Sequence, residues 1–258
     1  MKKSMPKYII NADDFGMDES GSRAIIEAFN RKLITSTTMC ANGLNYEMAC
    51  CLARNEGIDD RIGIHLNLTE GIPLTESIKN DPFFCNKNGV FHGKIDRLRH
   101  LNKEQKKEVY NELTAQIKRM RASGIMITHA DSHHHIHTAI FIAPVMICVL
   151  KKAGIRKIRP HRNIGRMRMY KKIGKRIYNL WLRLNDFKTV DYFGSLDDIL
   201  YSKNRKYNHI YEIMVHPQYD KNNVLIDKTG FDTYPTGRSL SVEINRVGNL
   251  RFYSYKEL

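Results

Sequence analysis

Apolar runs and amphipathic segments alternate along the chain. The run at 7–15, KYIINADDF, ends in two acids, and apolar residues recur at helical spacing in GSRAIIEAFNRKLI that follows, so the first unit is read as strand then helix. TSTTMCAN at 35–42 is rich in β-formers and precedes a helical NYEMACCLARN; RIGIHLNLT at 61–69 predicts a third strand. A polar insert then occupies about 70–101. KEQKKEVYNELTAQIKRMRAS predicts an amphipathic helix ending before Gly124, and IMITHADSH at 125–133 a fourth strand. PVMICVLKKAG predicts a helix with Pro144 in its first turn and Gly154 at its end. KIRP reads as a fifth strand, followed by a basic segment, TVDYFG, the short helix SLDDILYS, the strand IYEIMVHP and the closing LRFYSYKEL.

Repeated βα units without a linker or a shift in composition imply one α/β domain over 1–258. A doubly wound sheet and a closed barrel both satisfy the pattern. Asp13, Asp14, His65, His133 and His216 all fall at or near the C-terminal ends of expected strands. That is the rim where a TIM-like (β/α) barrel assembles its site, which favours the barrel. Neither G-x-G-x-x-G nor a P-loop occurs.

Composition changes this picture in three ways. With 42% hydrophobic and 27% charged residues the chain is of globular type, and no apolar run approaches the roughly 20 residues of a bilayer span. The N-terminus is basic but has no apolar core of a secretory signal, so a cytoplasmic location is expected. Five cysteines, Cys40, Cys50, Cys51, Cys85 and Cys148, are odd in number and lack C-x-x-C spacing, which reads as reduced packing residues. Net charge is +15, and from Lys151 to Arg183 there are 13 Lys/Arg and no acid. Such a block suggests an anionic partner or a solvated basic face. Ile173, Tyr178, Leu180 and Trp181 are expected to pack it on the domain with its cations outward. Arg159 and Arg162, just after the fifth strand, are the arginines expected to reach a substrate.

Candidate chemistry concentrates at THADSHHHIH, where five histidines fall within nine residues, 129–137. If 125–133 is extended, His129, Asp131 and His133 share one face and His134 the other. Asp131 could orient a metal-bound imidazole by accepting its second N–H. A solvated histidine-rich loop is the rival reading. At the N-terminus, the adjacent carboxylates Asp13 and Asp14 would repel unless they share a proton or a cation. His65 is isolated within an apolar strand, as a ligand or as a hydrogen-bonded core residue. His216 ends another strand, ahead of Pro217.

Taken in order, IINADDFG, TSTTMCANG, GIHLNLTEGIPL, THADSHHHIH, KIRP and EIMVHP resemble the YdjC-like carbohydrate deacetylases, a family of chito-oligosaccharide deacetylases. The resemblance runs from Tyr8 to about Tyr219 and resumes at YSYKEL. It implies a distorted TIM-like barrel and a single divalent ion, Mg or Zn first, that serves to remove acetyl from N-acetylated sugars. It implies Asp14, His65 and His133 as metal ligands, Asp13 as general base and His216 as general acid. Asp131 and His129 would stand behind the ligands, and His135 with Arg159 and Arg162 would contact the sugar. A homodimer is compatible with it. The stretch at 224–245, VLIDKTGFDTYPTGRSLSVEIN, departs from the acidic helical segment expected there.

Two histidines and a carboxylate fill part of a divalent ion's coordination sphere and leave room for water and an acetyl oxygen. The same ligands would suit a mononuclear iron oxygenase, although Asp13 and His216 then have no task. Another metal-dependent hydrolase, acting on a phosphorylated substrate, would use the basic block. From a different class, RMRMYKKIGKRIYNLWLR reads as a basic nucleic-acid-binding element. The expected partner is an N-acetylated sugar or oligosaccharide, without nucleic acid and without a membrane span.

Overall fold

The run KYIINADDF forms strand β1 (Lys7–Phe15), buried along nearly all its length as a central parallel strand must be. The computed structural model of the protein describes residues 4–93, 95, 100–202, 205–228 and 238–258. After β1 come α1 (Glu19–Asn30), β2 (Ser36–Met39), α2 (Tyr46–Asn55), β3 (Ile62–Leu66), α3 (Glu76–Lys79), α4 (Lys103–Ala122) and β4 (Ala130–Ser132). A 3-10 turn (His133–Thr138) leads to α5 (Ala143–Lys152), α6 (Met169–Leu184), β5 (Tyr192–Ser195), α7 (Leu196–Tyr201) and β6 (Ile210–Val215). The strands β7 (Pro217–Tyr219) and β8 (Leu225–Asp227), helix α8 (Leu240–Arg246) and β9 (Arg251–Phe252) complete the described elements.

The strands hydrogen-bond in the order β4-β3-β2-β1-β6-β5, with β9 beside β1 and an antiparallel β7–β8 pair apart. The β1–β6, β1–β9, β3–β4 and β5–β6 pairs are parallel, so the alternation of strands and helices is that of an α/β protein. Among the described residues the order is open at β4 and β5, so it does not describe the closed ring of the expected barrel. Two expected strands are shorter than the pattern implied. KIRP contributes only a bridge from Lys157 to Lys188. The fourth strand keeps only Ala130–Ser132 of the expected 125–133, and left-handed backbone at His134 and His135 follows its C-terminal end.

The chain divides into two compact units. One unit comprises Met1–Asp13, Ser20–Thr37 and Lys157–Leu258; the other comprises Asp14–Glu19 and Thr38–Arg156. In the first, β1 and β6 run in register with Tyr8 opposite Tyr211, Ile10 opposite Ile213 and Ala12 opposite Val215. Ile9, Val190, Phe193, Met214 and Tyr255 form a buried apolar cluster there. In the second, His65 lies opposite Asp131 in the β3–β4 register. Helix α4 packs against α3, α5 and β3. It opens on a capping box in which Asn102 Oδ1 accepts from the Gln105 amide at 2.8 Å and Gln105 Oε1 from the Asn102 amide at 3.2 Å.

The polar insert is partly built: Ile78, Phe84 and Cys85 are buried, while residues 94 and 96–99 lie outside the described residues. Of the atypical stretch 224–245, residues 229–237 lie outside them too. All five cysteines are free thiols, as their spacing implied. No described helix is long and apolar enough to cross a membrane. Within the basic segment, Tyr178 and Trp181 of α6 are half-buried, in line with the expected packing, but the other two residues expected to pack are not. Ile173 and Leu180 face solvent, whereas Asn179 and Leu182 are buried.

Candidate metal and catalytic site

In the unit containing Thr38–Arg156, the end of β1 sets the site's geometry. Asp14 has φ +70°, a left-handed conformation uncommon outside glycine, and its carbonyl accepts from the Met17 amide at 3.0 Å to close the turn. Its carboxylate meets two histidines. Asp14 Oδ1 lies 2.8 Å from His133 Nδ1 and 3.1 Å from His65 Nε2. His65 is buried in β3, and its other nitrogen, Nδ1, lies 2.6 Å from Asp131 Oδ1 on the neighbouring strand. The Thr38 hydroxyl donates to Asp131 Oδ2 at 3.1 Å. A carboxylate can only accept, so Asp131 takes the Nδ1–H of His65 and leaves its Nε2 lone pair toward Asp14.

His133 begins the turn after β4, and the next two residues are left-handed, with φ 50° at His134 and 53° at His135. That backbone sets the His133 and His134 rings 4.0 Å apart. His133 Nε2 lies 3.0 Å from Glu70 Oε2, and His134 Nδ1 lies 3.1 Å from Thr69 Oγ1. Burial, then the neighbouring His133, hold the His134 pKa below the usual histidine range and favour the neutral ring that ligates metals. The loop carrying Thr69 and Glu70 is tied down by amides. Asn67 Oδ1 accepts from both their backbone N–H groups, at 2.9 and 3.1 Å. Gln116 of α4 donates to the Asn67 carbonyl at 2.6 Å.

These residues fit a divalent ion by the chemistry of their donors. One carboxylate oxygen of Asp14 lies within 3.1 Å of an imidazole nitrogen of each of two histidines, an arrangement that a shared cation or proton makes favourable. Within this unit, two three-residue groups among the described residues bring ligand atoms close enough to hold an ion: Asp14, Cys40 and His65, and Glu70, His133 and His134. The expected ligands Asp14, His65 and His133 are thus joined through Asp14. Asp131 stands behind His65, at 2.6 Å from its Nδ1. His129 has a different place: its ring fills the space beside Gly63, where an added Cβ would fall 2.5 Å from it, and its Nδ1 meets Thr128 Oγ1 at 2.8 Å. Half-buried His135 accepts at its carbonyl from the Thr138 hydroxyl at 2.8 Å.

In the unit containing Lys157–Leu258, Asp13 belongs to a second, wholly buried cluster. Arg159 Nη1 and Nη2 donate to Asp13 Oδ2 and Oδ1, both at 2.6 Å, and its Nε donates to Glu212 Oε1 at 2.7 Å. The Tyr255 hydroxyl donates to the other Glu212 oxygen. Asn11 Nδ2 donates to Asp13 Oδ1 at 2.9 Å, and the guanidinium lies 4.7 Å from the Phe193 ring centroid. Arg159 is 0% exposed, which corrects its expected role: a guanidinium whose three nitrogens each donate to one of two buried carboxylates does not reach a substrate. Arg162 is half-exposed, and its Nη2 donates to Asp198 Oδ1 at 2.5 Å. His216 joins β6 to β7, and its backbone N–H donates to Asp227 Oδ1 at 2.8 Å.

Sequence reasoning missed Glu70, Cys40, Glu212 and Tyr255. Glu70 stood inside a motif, GIHLNLTEGIPL, whose acid sits five residues past His65. Glu212 carried a plainer signal, an acid in the middle of the apolar IYEIMV strand.

With this geometry in view, the sequence matches the family model described as YdjC-like protein over residues 7–257. The chain belongs to the YdjC-like family. It is 32% identical over 225 residues to Carbohydrate deacetylase 1 of Listeria innocua, covering 83% of this chain and 82% of that protein. To Carbohydrate deacetylase of Xenopus laevis it is 34% identical over 152 residues, 58% of this chain and 49% of the relative. Among solved structures, an Enterococcus faecalis protein provisionally named for cellobiose-phosphate cleavage is similar at TM-score 0.71 and 25% identity, with 98% of each chain covered.

Proposed function

We propose that this YdjC-like protein is a metal-dependent deacetylase that hydrolyses the acetamide of an N-acetylated sugar or oligosaccharide. The observation that carries the reading is Asp14 Oδ1 within hydrogen-bonding distance of both His65 Nε2 and His133 Nδ1, with Asp131 fixing the tautomer of His65. The names of the Listeria and Xenopus relatives supply the substrate class. Asp14, His65 and His133 would hold the ion; imidazole nitrogens suit zinc and carboxylates suit magnesium. Such an ion would polarise the acetyl carbonyl and acidify a bound water.

The rest of the chemistry belongs to side chains. Asp13 is the general base that takes a proton from the attacking water. Its Arg159 clamp holds it as a carboxylate, the form that can take a proton. His216 is the general acid that protonates the departing nitrogen as the C–N bond breaks, giving acetate and a free amino sugar. Arg162 and His135 contact the sugar. The distorted barrel, the cytoplasmic location and the homodimer implied by the resemblance belong to the same reading.

The test is acetate release from N-acetylated mono- and oligosaccharides, with chelator-stripped protein and with zinc, magnesium, manganese or cobalt restored in turn. Release that disappears on chelation and returns with one of these metals is expected. No release from any sugar with any metal, or release indifferent to chelation, would overturn the reading.

A further inference from the structure

Helix α6 carries a continuous apolar stripe on its outward side, unlike an ordinary surface helix. Its apolar residues Met169, Ile173, Ile177, Leu180 and Leu184 are spaced four, four, three and four apart, which at 3.6 residues per turn confines them to an arc of about 80°. That arc faces solvent: the five are 69%, 51%, 63%, 56% and 74% exposed. The opposite side is docked through Leu182, which is 0% exposed, and through polar groups. Asn179 accepts from the His161 amide at 2.7 Å and donates to the His161 carbonyl at 3.0 Å. Lys175 also lies on that side, where burial and then Arg162 lower its pKa. A helix whose docked side is already partly polar and whose exposed side carries a continuous apolar stripe has an outward face shaped for something other than water.

Charge selects the occupant. Arg176 borders the stripe on one edge with Lys172 beyond it, and Tyr170 and Trp181 border the other. No acid occurs anywhere from Lys151 to Arg183. A second copy laid helix against helix would bring two acid-free cationic rims together, which repel. An anionic lipid surface matches all three features at once. The stripe enters the acyl boundary, cations reach phosphates, and tyrosine and tryptophan sit at the headgroup level. At 16 residues, about 24 Å long, the helix would lie in the plane of the interface rather than cross it.

We propose that the outward face of α6 docks on an anionic lipid bilayer. The surface uses no residue assigned to deacetylation, so it stands or falls independently of that activity. The experiment is co-sedimentation of the full chain with vesicles of phosphatidylcholine alone, or of phosphatidylcholine mixed with phosphatidylglycerol. Two variants are compared with the parent: Ile173→Ser with Ile177→Ser and Leu180→Ser, and Lys172→Glu with Arg176→Glu. The parent is expected in the pellet with the anionic vesicles and in the supernatant with neutral ones. Each variant should lower the vesicle-bound fraction roughly tenfold or more, with melting temperature unchanged where the replaced side chains face solvent. Binding of the parent to neither vesicle, or equal binding by the serine variant, would overturn the proposal. A parent that is dimeric in solution and becomes monomeric in the serine variant would also overturn it, by giving the face to a second copy.

Discussion

Asp131 touches no substrate, yet it decides which nitrogen of His65 is left to act. Its Oδ1 lies 2.6 Å from His65 Nδ1, and Thr38 holds the other oxygen. Asp131→Asn keeps the shape but offers an amide that can turn its NH2 toward the ring, so the tautomer is no longer fixed. A loss of about 10- to 100-fold in metal affinity is expected, measured by titrating zinc into chelator-stripped protein. Unchanged affinity would remove Asp131 from the site. Asp13 makes a contrasting case one residue before Asp14, because its partner is Arg159 in a buried cluster rather than a histidine. Asp13→Asn is expected to leave metal content unchanged while acetate release falls roughly 10²- to 10⁴-fold. It also removes half of a buried ion pair, at a cost of about 3–5 kcal/mol, so a lower melting temperature should accompany the loss. Metal lost together with activity would exchange the roles of the two aspartates.

At the scale of elements, the turn out of β1 depends on a backbone approach that sequence could locate but not explain. Gly43, in the motif TSTTMCANG, sits so close to Gly16 that an added Cβ would fall 2.2 Å from its carbonyl oxygen and 2.7 Å from its carbonyl carbon. That same oxygen accepts from the Asn45 amide at 3.0 Å, so it cannot move freely. Gly43→Ala is expected to cost about 1–3 kcal/mol, read from denaturant midpoints, and to weaken metal binding by shifting the turn that follows Asp14. A variant as stable as the parent would show that the turn yields without cost. Elements with an apolar period were legible: β1, α2, α4, α5, α7 and β6 fall within a residue or two of where the pattern placed them. The fourth strand was overextended at both ends, because alternation reveals neither that its pairing with β3 begins at Ala130 nor that His134 and His135 turn left-handed. For the same reason His133 was reachable as a ligand only through family resemblance, since strand alternation stops at Ser132. Arg159 was misjudged because a cation in a basic run reads as surface; nothing local to it announces that Asp13 and Glu212, distant in sequence, are its partners.

On the scale of the molecule, the excess of 15 positive charges sets the background for every pH effect. Lowering the pH adds positive charge and self-repulsion, which weakens the fold. Glu108 of α4 works against that trend. Burial, and after it the nearby Asp81, push its pKa up to about 7 from the ordinary carboxylate range near 4.3. The folded chain therefore holds this proton more tightly than the unfolded one. Its contribution to stability is fully present below the unfolded pKa and is lost as pH rises through about 7, where the buried side chain must ionise. Glu108→Gln keeps the shape and stays neutral throughout. The variant's stability relative to the parent should therefore rise between about pH 5 and about pH 8, measured as the difference in denaturant midpoints across that range. The opposite slope, or parallel curves for the two proteins, would mean that Glu108 ionises as readily in the folded chain as in the unfolded one. Deacetylase activity provides the control, because Glu108 is not among the residues assigned to metal, base or acid, and its replacement should leave acetate release at saturating metal unchanged.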